Sequence, residues 1–138
     1  MKKLRQSDFA AILLARAGLR RLGIAIEGFH AYALSPETWI PAPGQAALAI
    51  EARRGSAAGA VARQALDHAP TRLAVTLERE LMARFEAGCH APFAAWAVPL
   101  DDGTVCVRIG CATPASRWAA ARVTTAPEAA VDAAMTAL

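Results

Sequence analysis

A large apolar residue recurs every fourth position at Leu73, Leu77, Leu81 and Phe85, which lays a single apolar stripe along a helix beginning at Pro70 or Thr71. Proline suits the first turn, where its missing N–H has no partner to lose, and Gly88 suits the left-handed residue that stops a helix. A helix with one apolar face must bury that face against a second layer. The following residues offer one. Segments 93–100 and 104–112 have strand length and are joined by Asp101, Asp102 and Gly103, which tolerate the backbone of a tight turn. Val105, Val107 and Ile109 alternate with Thr104, Cys106 and Arg108, predicting a hairpin with one buried face. Pro127 then opens a second helical pattern through Val131, Met135 and Leu138. The expected fold class is α+β, a small antiparallel sheet covered by helices.

The first half reads differently. Residues 9–15, FAAILLA, form a short continuous apolar run, which predicts a strand buried on both faces. AGLRRLG, residues 17–23, follows with Leu19 and Leu22 three apart and Gly23 at the stop, predicting a short helix. Strand into helix begins an α/β pattern, yet no second parallel strand follows, so these residues read as an α/β fragment of something larger. Residues 35–45, SPETWIPAPGQ, hold three prolines and a glycine and predict a loop or a domain crossing. AALAIEA after it has strand length, and AVARQAL at 60–66 reads as a short helix.

Composition narrows the function classes. The net charge is +3 with a pI near 9.1, but the arginines are scattered and show no interleaving with aromatics of the kind a nucleic-acid groove uses, so no nucleic-acid partner is expected. Arg16, Arg20 and Arg21 interrupt the N-terminal apolar stretch, which argues against a signal peptide or a membrane span. Cys89, Cys106 and Cys111 are odd in number and match neither a disulfide framework nor a metal knuckle, so no metal is expected and a reducing, cytoplasmic setting fits. Taken alone, Cys89 has a bland alternative as an inert small apolar residue. His90 beside it makes no nucleophile pair, because adjacent side chains rarely meet and no third orienting group is evident.

Three segments in order, AILLARAGLRRLG at 11–23, IPAPGQAALAIEAR at 40–53 and LERELMARFEAGCHAPFAAWA at 77–97, resemble the porphobilinogen deaminase (hydroxymethylbilane synthase) family. The resemblance implies an enzyme, a transferase of haem and tetrapyrrole biosynthesis that condenses four porphobilinogen units into hydroxymethylbilane with release of ammonia. It implies three domains, of which residues 1–38 correspond to the end of the second, 39–67 to the segment returning to the first, and 68–138 to the third. The missing N-terminal domains then become candidate partners, and a non-catalytic C-terminal remnant lacking the catalytic aspartate becomes the alternative reading. No catalytic residue is therefore expected in this chain.

The same resemblance implies a dipyrromethane cofactor held by a thioether on Cys89. Arg21 matches the family's carboxylate-binding arginine, the second member of a basic pair; read from the residues alone, it could equally belong to a solvated helix face. Gln45 matches a residue lining the cofactor cleft, with Gly44 allowing close backbone approach. Ala46 departs from the family's usual glycine, and its Cβ is expected to crowd the cofactor or alter the turn.

Overall fold

The computed structural model describes residues 2–6, 9–86, 91–112 and 118–138. They fall into two compact units, Met1–Leu34 and Ser35–Leu138.

The first unit contains two short helices, α1 (Lys2–Arg5) and α2 (Arg16–Arg21), joined by irregular chain. The stop at Gly23 is realised: Gly23 has φ +61°, and the Leu22 N–H closes back on the Gly18 carbonyl at 3.0 Å. Residues 9–15 form no strand, contrary to the sequence expectation. A strand apolar on both faces needs ladders along its edges and layers on both sides, and among the described residues of this unit none is a strand. Arg5 donates from Nη2 to the Glu27 carbonyl at 3.4 Å with its guanidinium 5.4 Å from the Phe29 ring centre.

The second unit holds α3 (Ala57–Leu66), α4 (Ala69–Arg84), strands β1 (Phe93–Pro99), β2 (Val105–Cys111) and β3 (Ala119–Thr125), a 3-10 turn (Pro127–Ala129) and α5 (Ala130–Ala137). AALAIEA forms no strand, and its Leu48 and Ile50 are exposed. Ser56 caps α3 by accepting the Gly59 N–H at 3.1 Å. Helix α4 starts one residue earlier than its proline signal, at Ala69, with His68 as its cap. The imidazole Nδ1 lies 2.8 Å from the Thr71 hydroxyl and accepts the Thr71 N–H at 3.4 Å.

The strands run antiparallel in the order β1-β2-β3, with Ala95, Ile109 and Ala121 in one cross-strand row and Ala97, Val107 and Val123 in the next. These rows face α4 and α5. Leu77, Leu81, Val105, Val107, Ile109, Val131 and Ala134 form the buried core, and fully burying Leu81 or Ile109 stabilises the fold by roughly 1.5–3 kcal/mol each. Arg84 ties the two helices together, pairing with Asp132 of α5 and with Glu80 one turn back at 3.1 Å.

Two features depart from expectation. Strand β3, AAARVTT, gives little sequence signal because alanine favours no sheet; pairing with β2 and contact with α5 create it. Strand β2 is buried on both faces rather than one, with Cys106 at 7% exposure opposite Val107 at 0%. The second face is covered in part by Trp118, which lies so close to Gly110 that a Cβ there would sit 2.4 Å from its ring. Glycine is the residue that admits this contact.

Candidate functional site

The turn at 41–46 is built by the PAPGQA sequence. Pro41 and Pro43 fix their own φ and remove donors, the Gln45 N–H returns to the Ala42 carbonyl at 3.1 Å, and the Ala47 N–H to the Gly44 carbonyl at 3.2 Å. Closing the turn takes two left-handed residues, Gly44 at φ +70° and Ala46 at φ +68°. Glycine reaches that region freely, whereas alanine there costs about 1–2 kcal/mol. Ala46 thus keeps the turn and strains it.

A buried carboxylate anchors this turn. Glu78, on α4 and 5% exposed, accepts the Gly44 N–H on Oε2 at 2.6 Å and the Ala97 N–H on Oε1 at 2.9 Å. The Ala95 N–H donates to the Pro41 carbonyl at 3.1 Å. Since β1 is an edge strand, its outward amides would otherwise lack a ladder, and Glu78 together with Pro41 satisfies them. Burial pushes the Glu78 carboxyl above its ordinary range, while the Ala97 and Gly44 N–H donors pull it back. Sequence reading passes over Glu78 because LERE looks like one more charged turn of helix. The signal available was its place one residue after Leu77 on the apolar stripe.

Pro43 and Gly44 line one end of a groove of about 1300 Å³ whose walls include Arg53, Arg63, Arg72 and Arg79. Arg72 is engaged by Asp67 at 3.0 Å. The Gly44 N–H is spent on Glu78, so its contribution to a ligand is close approach rather than a hydrogen bond; a Cβ there would meet nothing nearer than Val75 at 3.9 Å. Gln45 is exposed in the same turn.

Of the residues expected from sequence, Gly44 and Gln45 are adjacent in this turn. Arg21 is the last residue of α2 in the first unit, exposed, at the end where the helix dipole favours a cation. Cys89 lies outside the described residues, as does Gly88. The flanks of that segment are described: Phe85 and Phe93 pack with ring centres 5.1 Å apart, holding the end of α4 against the start of β1. Cys106 and Cys111 are free and buried, and burial raises the Cys111 thiol. Among the described residues no group of three or more His, Cys, Asp or Glu could hold a metal, and no helix is long and apolar enough to cross a membrane.

Comparison with known proteins gives two family matches, to the dipyrromethane cofactor binding domain of porphobilinogen deaminase over residues 1–60 and to the porphobilinogen deaminase C-terminal domain over residues 72–115. A porphobilinogen deaminase from Ralstonia nicotianae is 43% identical over 117 residues, covering 85% of this chain and 34% of the relative. Relatives of the same name from Nitratidesulfovibrio vulgaris and Mycobacterium ulcerans are 43% and 46% identical over 102 residues, covering 74% of this chain and 32% of each relative. The chain spans about a third of the length of the curated relatives it matches. Two matched family domains in sequence order, the second falling on the α4-to-β2 unit that holds Glu78, make the assignment: the chain belongs to the porphobilinogen deaminase family.

Proposed function

We propose that this chain is the cofactor-bearing portion of a porphobilinogen deaminase, a transferase that joins four porphobilinogen units into hydroxymethylbilane and releases ammonia at each addition, acting in the cytoplasm. The observation that carries the reading is the Gly44–Gln45 turn, clamped by Glu78 against the sheet whose β1 follows Cys89 after three residues. On this reading residues 1–38 belong to the family's second domain, 39–67 to its first and 68–138 to its third.

The residues fit a dipyrromethane. Its ring substituents are carboxylates, and the groove that Pro43 and Gly44 help to line carries Arg53, Arg54, Arg63, Arg72 and Arg79 with Asp67 as its acid among the described residues; arginine binds a carboxylate through two parallel hydrogen bonds. Cys89 forms the thioether, Gln45 and Gly44 line the cleft, and Arg21 holds a carboxylate. Bound there, the cofactor supplies the fixed primer from which the pyrrole chain grows. The protein's part is to anchor, to neutralise accumulating negative charge, and to hold the turn rigid through Glu78. The catalytic carboxylate is not assigned to this chain, so porphobilinogen turnover requires the remaining domains of the enzyme. A non-catalytic remnant is the alternative.

Intact mass of the chain purified from a porphobilinogen-producing cell tests the assignment. A gain matching dipyrromethane, absent from Cys89→Ser, is expected. An unmodified mass in both proteins would favour the remnant.

A further inference from the structure

On the outer face of the sheet the register sets side chains in rows. Ala94, Gly110 and Ala120 make one row, and Trp96, Arg108 and Arg122 make the next. The small row forms a floor, and Trp118 lies on it against Gly110. Trp39 and Trp118 both line a groove of about 730 Å³, within the size range of small-molecule sites. Both indoles are about half exposed, 55% at Trp39 and 49% at Trp118, which leaves apolar ring surface open to a ligand.

The charge in this groove is unbalanced. Arg108 and Arg122 stand directly opposite each other on neighbouring strands, an arrangement of like charges that destabilises a sheet. Among the described residues lining the groove, Glu37 is the one carboxylate. It serves Arg108, which donates from Nη1 to the Glu37 carbonyl at 3.0 Å and places Nη2 3.5 Å from Oε1. Arg122 donates from Nε to the Cys106 sulfur at 3.3 Å, a weak acceptor. Among the described residues the Arg108 Nε is buried without an acceptor. Two guanidinium groups against one carboxylate, beside two exposed indoles, define what would complete the site.

We propose that this groove binds a planar aromatic carboxylate, its ring against Trp39 and Trp118 and its carboxylate on Arg122 beside Arg108. Arginine offers a carboxylate paired donors, and the indoles offer faces on which a flat ring stacks. The groove shares Ala42 with the 41–46 turn, but neither Gly44 nor Gln45 lines it, and its binding is non-covalent, so it goes beyond the thioether reading and is tested separately from it.

Titration of the full chain with pyrrole-2-carboxylate, followed through the indole N–H resonances of its three tryptophans, tests the proposal, with Trp39→Phe assigning one resonance. The expected result is a saturable shift largest at Trp39 and Trp118, weakened by added salt, and weakened at least tenfold in Arg122→Ala. Arg122 is exposed, so that variant should keep the parent melting temperature; Arg122→Gln serves if it does not. Acetate and unsubstituted pyrrole should produce no comparable shift. The proposal is overturned by the absence of a saturable shift, by an equal response to acetate or pyrrole alone, or by unchanged affinity in a folded Arg122 variant. Cys89→Ser should bind like the parent, which separates this outcome from that of the covalent assignment.

Discussion

The two units draw on similar apolar side chains and use them in opposite ways. Phe9, Leu13 and Leu14 in the first are 51%, 67% and 53% exposed, whereas Leu77, Leu81 and Ile109 in the second are 6%, 0% and 0% exposed. FAAILLA is the more hydrophobic run, yet none of its residues is buried, and the core is made by leucines spaced among charges. Burial thus depends on a complementary layer and not on local hydrophobicity. In the second unit α4 faces a sheet whose inner rows are small, Ala95 and Ala97, where the helix must come close, and larger, Val107 and Ile109, at the centre. The first unit has no such counterpart among its described residues.

This contrast predicts a sharp asymmetry in mutational cost. Leu81→Ala should destabilise the chain by about 3–5 kcal/mol in denaturant titration, because the cavity sits between two fixed layers. Leu13→Ala should change it by less than about 0.5 kcal/mol; a large effect there would mean that the first unit is buried in solution and would break the comparison. Glu78→Ala comes next, at about 2–4 kcal/mol, since it strands the Gly44 and Ala97 amides without acceptors.

The same residue sets a pH dependence. The folded state raises the Glu78 carboxyl above its ordinary 4.5, so the native chain binds more protons than the unfolded one in the window above that value. Stability should therefore fall as pH rises through the window. Glu78→Gln, which has no such proton to lose, should flatten this part of the profile; an unchanged slope would assign it to another group. A smaller gain is expected at the turn. Ala46→Gly should raise stability by about 1 kcal/mol by relieving the left-handed alanine, and a loss would show that the Ala46 methyl makes a compensating contact.

The second unit was largely legible in sequence because its elements state their own period. Leu73, Leu77, Leu81 and Phe85 announce α4, and the Asp101–Gly103 cluster announces the hairpin between β1 and β2. Strand β3 was not legible, since AAARVTT is as compatible with a helix until β2 pairs with it. Residues 9–15 were misread for the converse reason: an apolar run signals that it can be buried, not that its partner is at hand. The family motif singled out Gly44 and Gln45, which share one turn. It did not reveal Glu78, whose role comes from contacts far apart along the chain, nor the pairing of Arg108 with Arg122, which only the register discloses.

Glu78 also couples two amides in time. A hydrogen-bonded amide exchanges with solvent only when its acceptor lets go, and the Gly44 and Ala97 amides share one carboxylate. Withdrawal of that single side chain unlatches the turn and the sheet edge in the same event. The crossing segment and the edge strand therefore open together, and protection of the two amides should fall together when Glu78 is replaced.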